Sequence, residues 1–461
     1  MQVHRLIGLF FVHAIIAMGV VALPSAADDR AGAGAKSADA TTLGEIDKRI
    51  DSSLPQWLDF YKTCHANPEL SLHEQESAAR IAAAFKKAGL TVTENFGGHG
   101  VVGVLENGKG PTVLIRGDMD ALPIIEDTGV PYASKVKVEL GDGSHVGVMH
   151  ACGHDVHQTV LVATAQMLAG MKDHWHGRAV FVAQPAEEIG RGAAMMIDAG
   201  LFEKFGKPSA CIALHVSHEI PAGTIGYTSG WVYANVDSVD ITIHGRGGHG
   251  AYPHQAVDPI VTGAQVVVAL QTIVSRRMNP QEPGVITVGS FHAGSKHNVI
   301  PDEAKLQLTV RSYKPEARKL LLDSIRQIAM DVCKAAGCPK PPTVTVLEQD
   351  HTPASYNDPA LTAFAVGAFG VVFGKDAVLE RPASMGGEDF GQFASRSGAP
   401  GFMFNIGTVS AEAYAASKQP GADPLPSVHS AKFAPVPEPT LRTGVRAMTT
   451  LAMCLLNKEE K

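Results

Sequence analysis

Two kinds of apolar pattern run along the chain. Val101–Leu105, Val113–Arg116, Ala179–Ala183 and Cys211–Val216 are nearly continuous apolar stretches without a regular polar face. Such stretches predict strands covered on both sides. Gln158–Met171 and Gly192–Ala199 have helical character, the second closed by Gly200. Upstream, Ser71-Leu72-His73-Glu74 has the form of a capping box and predicts a helix through Ala88, ended by Gly89. Strands alternating with helices predict an α/β fold with a largely parallel sheet, its site just beyond the strand ends.

From Val236 the pattern changes. Val239–Ile243 alternates as a strand, Asp258–Arg276 is helical, and Val285–Phe291 and Ala304–Arg311 are strands. Pro315–Ala336 is a helix opened by a proline suited to its first turn, and Thr343–Leu347 is a last strand. This β-α-β-β-α-β order is the ferredoxin-like split unit. Because α/β patterning resumes after Asp358, the unit reads as an insertion. The outer α/β domain is then expected over 43–235 and 349–461, with the inserted domain, whose split sheet leaves an edge on which a second copy could pair, over 236–348. A helix over Leu441–Leu455 closes the chain.

The amino terminus reads as an address. Leu6–Val21 is apolar and follows Arg5, but it is shorter than the ~20 residues that span a bilayer. With Pro24-Ser25-Ala26-Ala27 behind it, it predicts a signal peptide over 1–27, a flexible leader over 28–42, and export to the periplasm or medium. An uncleaved anchor is the alternative; after cleavage no stable membrane insertion is expected. With 45% apolar and 18% charged residues the remainder can bury a large core. The net charge of −7, without a basic cluster, points away from nucleic acid. Six cysteines in 461 residues are no disulfide scaffold. Cys333 and Cys338 are near enough in sequence to pair, and free thiols are equally compatible.

Twenty histidines, many in short Gly-rich motifs, mark the chemistry. Asp118 and Asp120 follow a strand, and Cys152, His154 and His157 stand beside a helix start. Glu187 and Glu188 follow another strand, His215 ends the next, and His429 lies in a Pro-rich loop. Thiolate, imidazole and carboxylate are ligands for zinc and its neighbours. Adjacent glutamates pointing to opposite sides would let one bind metal while the other reaches a bound water. Singly, each residue has a structural reading as core histidine, buried thiol or solvated turn. Together at successive strand ends they favour a metal site. A nucleophilic Cys152 is a rival, but it leaves Glu187, Glu188, His215 and His429 without a role.

The motifs DMDALPI, HACGHD, QPAEE, GGHGAYPH, NVIPD and GGEDF extend from Asp118 to Phe390. Through them the chain resembles the aminoacylase and carboxypeptidase superfamily of di-metal peptidases. More narrowly it is similar to the amidohydrolase branch with hippurate hydrolases and plant auxin-conjugate hydrolases. The resemblance implies two divalent ions, zinc or manganese with cobalt or nickel as further options. It places the ligands on Cys152, His154, Glu188, His215 and His429, and the general acid/base on Glu187. It raises His249 from a glycine-rich hairpin tip to an oxyanion donor, with Asn298 and Arg311 as substrate-pocket residues. Asp120 is expected to orient a ligand from behind; His157 and His254 are read as structural or supporting groups. Two departures stand out: RGDMD carries Gly117 where alanine is expected, and His429 lacks a neighbouring histidine. The implied reaction is hydrolysis of N-acyl amino acids or similar small amides by a homodimer. A carboxypeptidase or dipeptidase is the nearest alternative, and a metal-binding receptor without catalysis a more distant one.

Overall fold

Alternate residues of the apolar strands face two different cores, which is why no polar face shows in their sequence. In the computed structural model, which describes residues 39–457 apart from 140 and 142, Val113 and Ile115 face one apolar cluster and Leu114 the other. Phe181 and Val180, Ile212 and Cys211 divide in the same way. Phe181 is fully buried, and truncating such a side chain to alanine costs about 3–5 kcal/mol.

These strands form an eight-stranded mixed sheet. Gly177–Gln184, Thr112–Asp118, Ala210–Pro221 and Gly401–Val409 lie side by side and run parallel. Val101–Asn107 and Thr91–Thr93 extend one edge antiparallel. Ile225–Tyr227 and Val378–Glu380 extend the other. Helices Ala40–Ala66, His154–Gly170 and Pro437–Leu456 contribute to one core, and Gly192–Asp198 and Gly391–Ser397 to the other.

A second sheet has four antiparallel strands in the order Gly284–Ala293, Glu303–Ser312, Asn235–His244, Thr343–Val346. Helices Pro259–Thr272 and Pro315–Ala335 share its apolar cluster, separate from those of the larger sheet. The chain order is β-α-β-β-α-β, and Asp258 caps the first helix by accepting from the Ile260 and Val261 amides.

Three expectations need correction. The leader read to Thr42 gives way to a helix at Ala40, because the Asp39 carboxylate caps the Thr42 amide. The helix carrying the histidine motif begins at His154, four residues before the expected Gln158, since Gly153 can adopt the left-handed turn (φ 78°) that starts it. The capping box does not form: helix Gln75–Lys87 has no side-chain cap from either partner. Ser71 donates instead to Asp120, and Glu74 accepts from the Leu72 and Ala186 amides. The signal peptide and nearly all of the leader lie outside the described residues.

Candidate metal centre

Strand ends bring the chemistry together. Asp118 closes Thr112–Asp118, and the chain then turns through Met119 and Asp120. Gly117 is small for a reason: a Cβ there would meet the His157 carbonyl oxygen at 3.1 Å and the Leu161 side chain at 3.2 Å. Strand Gly177–Gln184 stops before Glu187 and Glu188, which sit in a turn where Ala186 takes a left-handed φ of 52°. The two carboxylates therefore do not simply face opposite ways. Both approach His154 Nε2, Glu187 at 3.8 Å and Glu188 at 3.9 Å. From there Glu187 faces Glu388 and Asp389, while Glu188 faces Cys152 and His429.

Hydrogen bonds decide the imidazole tautomers. His154 Nδ1 donates to the Asp120 carbonyl at 2.8 Å, and His215 Nδ1 to the Val216 carbonyl at 2.7 Å. On each ring Nε2 is thereby the nitrogen turned inward. His215 Nε2 lies 3.4 Å from Cys152 Sγ, and His429 Nε2 lies 3.4 Å from Glu188 Oε2. Cys152 belongs to two clusters of converging donors, one with His154 and His215 and one with Glu188 and His429. His154 Nε2 and Glu188 Oε1 are buried without a hydrogen-bond partner. Buried polar atoms left so cost ~1–3 kcal/mol each, and a cation between them removes that cost. The donor set of thiolate, inward imidazole and carboxylate fits divalent metal.

The surrounding charges are tightly arranged. Asp120 Oδ2 accepts from the Glu188 amide at 3.0 Å and from Ser71 at 2.6 Å. His157 is locked between Asp118 (2.6 Å) and the Val216 amide (3.0 Å), and burial pushes it down to about 4. Burial pushes Glu188 up to about 7, and burial with neighbouring Glu388 raises Glu187 well above the usual carboxylate range. Fully buried Arg116 pairs with Asp118 at 2.6 Å, Glu388 at 2.9 Å and Asp389 at 3.2 Å, and donates to Gln184 at 2.8 Å. Sequence reasoning assigned no role to Arg116, Glu388, Asp389 or Tyr233. A guanidinium ending the apolar run Val113–Arg116 was the available signal, since a buried arginine requires carboxylates around it.

A cavity of about 830 Å³ opens over this cluster, lined by Cys152, Glu187, Glu188, His215, His429 and Arg311 among others. Arg311 reaches it from strand Glu303–Ser312, with Nη1 donating to the Met385 carbonyl at 2.9 Å. His249 and Asn298 do not line it. They are exposed beside the short ladder of Gly248–His249 with Val299–Ile300, where His249 Nδ1 accepts from the Ala251 amide. His254 is exposed in the turn that follows. Cys333 and Cys338 form no disulfide, and neither does any other described cysteine.

The sequence profile of peptidase family M20/M25/M40 matches residues 114–431, a span that holds every member of the cluster. The chain belongs to that family. Among M20/M25/M40 relatives, thermostable carboxypeptidase 2 of Saccharolobus solfataricus is 35% identical over 86% of this chain and 94% of its own. Hippurate hydrolase of Campylobacter jejuni is 37% identical over 71% of this chain and 82% of its own. A Bacillus subtilis crystal structure described as a dinuclear metal-binding M20 peptidase superposes with a TM-score of 0.71 at 28% identity, covering 89% of this chain and 100% of that one.

Proposed function

We propose that this protein is an exported, metal-dependent amidohydrolase that cleaves the amide of N-acyl amino acids and similar small conjugates. One observation carries the reading: inward Nε2 atoms of His154 and His215 converge with Cys152 and Glu188, beside a second carboxylate, Glu187. A pure binding site has no need of that extra carboxylate. Cys152, His154, Glu188, His215 and His429 would hold two divalent ions, whose Lewis acidity would make water nucleophilic near neutral pH and polarise the scissile carbonyl. A thiolate donor suits zinc, with manganese, cobalt and nickel as alternatives.

Glu187 accepts the proton of the attacking water and returns it to the departing amine. Its place beside the ligands Glu188 and His154, outside the ligand set, suits both halves of that task. Asp120 holds the His154 ring and the Glu188 backbone in place. Arg311 offers a guanidinium to the carboxylate of the amino-acid product. His249 and Asn298 join the reaction only when the inserted domain 236–348 closes or when a second copy presents them. Names of relatives support the substrate class: N-acetyl-L-cysteine deacetylase of Bacillus subtilis is 35% identical over 80% of this chain. A carboxypeptidase acting on short peptides is the second reading, favoured by the thermostable carboxypeptidase relatives. Export rests on the apolar run Leu6–Val21.

The test uses the mature chain, stripped with a chelator and reloaded separately with zinc, manganese, cobalt or nickel. Metal-restored release of benzoate from N-benzoylglycine is the expected result. Absence of metal-dependent cleavage of any N-acyl amino acid, with dipeptides hydrolysed instead, would transfer the assignment to the second reading.

A further inference from the structure

One polar group on the cavity wall has no part in the chemistry described so far. Tyr233 lies in the strand Gly230–Tyr233, on the segment leading into the second sheet, and its ring lines the cavity beside His215 at a centroid distance of 6.4 Å. Its surroundings come from the loop around Ser384 and from strand Gly401–Val409. The Tyr233 backbone pairs with Ser384 as an isolated bridge, and Gly386 lies beside the ring at ordinary contact distance. Its Oη accepts from Asn405 Nδ2 at 3.5 Å. Asn405 is registered opposite His215 on the neighbouring parallel strand, so the acceptor side of the phenol is tied to the same strand pair that presents a ligand. A hydroxyl that accepts on one side has its single proton to donate on another. Burial above all disfavours the ionised form of the phenol, and Glu388, Cys152 and Glu187 nearby act in the same direction. It therefore remains a neutral donor.

We propose that Tyr233 is a catalytic residue whose O–H donates to the carbonyl oxygen of the scissile amide as that oxygen becomes negative. The inference rests on the amidohydrolase reading and adds a protein donor beside the metal ions at the scissile carbonyl, since His249 stands outside the cavity. The phenol keeps its proton throughout, while Glu187 takes the proton of the attacking water and returns it to the departing amine. The amide π bond becomes a lone pair on oxygen as water adds to carbon, and the phenol hydrogen bond shortens to meet it. When the tetrahedral species collapses, the C–N bond breaks and the oxygen returns to a carbonyl. Asn405 keeps Oη in place throughout. An oriented donor of this kind, acting where charge develops, is worth about 10²-fold in rate.

The experiment compares wild type with Tyr233→Phe, both loaded with the same metal and checked for metal content and thermal midpoint. With N-benzoylglycine, kcat should fall about 10²-fold while KM stays within about twofold. A phosphinate analogue of the tetrahedral species should lose affinity by a factor similar to kcat in calorimetry, while affinity for glycine, the product amine, is retained. Asn405→Leu, which frees the phenol to rotate, should reproduce part of the kcat loss in the Tyr233 background and none in Tyr233→Phe. Unchanged kcat in a metal-loaded Tyr233→Phe enzyme overturns the proposal and leaves the amidohydrolase reading intact. Equal losses for phosphinate and glycine overturn it too, as signs of a merely structural role. If wild type itself fails to cleave N-acyl amino acids, the failure belongs to the functional reading.

Discussion

At the scale of single residues, the contrast between Glu187 and Cys152 separates catalysis from metal holding. Glu187→Gln keeps the shape of the side chain and removes its proton affinity. It should retain metal and lose about 10²–10⁴ in turnover, measured against metal content by atomic absorption. Cys152 stands in both donor clusters, so Cys152→Ala should instead lower the bound metal per chain. Full metal occupancy with no product from Cys152→Ala would revive the thiol as nucleophile. Behind these groups, His65 contributes stability in a pH-dependent way. Its Nδ1 lies 2.6 Å from Asp155 and its Nε2 3.0 Å from Glu126, so both nitrogens donate and the ring is cationic. Burial opposes that charge, but the two carboxylates outweigh it and lift His65 to about 10. A raised folded value gives stabilisation that is complete below the ordinary ~6.5 and lost as pH rises through about 10. His65→Ala strands two buried carboxylates and should cost about 3–5 kcal/mol near pH 6 in urea titrations, with the gap narrowing toward pH 10. A gap constant over that range would mean the ring is uncharged.

At the scale of elements, the turn after Gly177–Gln184 is held by a residue distant in sequence. Glu74 Oε1 accepts from the Leu72 amide at 2.9 Å and the Ala186 amide at 2.8 Å, and so secures the left-handed Ala186 beside the two site glutamates. Glu74→Ala should lose ~1–3 kcal/mol of stability for each amide left unpaired, and kcat with it. Burial pushes the Glu74 carboxyl up to about 7, so the neutral amide of Glu74→Gln is a close substitute and should recover most of both. Equal activity of Glu74→Ala and wild type would show the turn to be self-supporting. The same element shows why the capping box misled. Ser71 and Glu74 have the right spacing to cap a helix, but Asp120 and Ala186 come within reach only after the chain has folded.

At the scale of the whole molecule, the four-stranded sheet leaves the ten-residue strand Gly284–Ala293 at its edge. Beside it, helix Pro259–Thr272 turns Val261 and Val268 outward, 54% and 71% exposed. An unpaired edge next to an apolar helix face is a surface on which a second copy can continue the sheet. We expect a homodimer, checked by light scattering at micromolar concentration, with Val268→Lys shifting the chain toward monomer. A monodisperse wild-type monomer would count against this arrangement and would leave domain closure as the route that brings His249 to the cavity.

Periodicity and local chemistry by themselves determined a good deal. Doubly covered strands such as Val113–Arg116 announced a sheet with helices on both faces, and the elements after Val236 announced the split β-α-β-β-α-β unit. Residue type pointed to metal chemistry at the strand ends, and the family resemblance, not residue type, placed the ligands on Cys152, His154, Glu188, His215 and His429 and the acid/base on Glu187. Other features were decided by tertiary structure, since they are distances between residues far apart in sequence. Which imidazole nitrogen faces inward depends on the Asp120 and Val216 carbonyls. Arg116 finds Glu388 and Asp389 some 270 positions later, a pairing for which no local period exists. His249 has the residue type and motif of a catalytic group, yet its strand holds it outside the cavity, while Tyr233, unremarkable in sequence, is folded onto the wall. Local pattern reports the energy a segment gains by its own conformation; a site is made by side chains whose approach only the packed sheet and its connections can arrange.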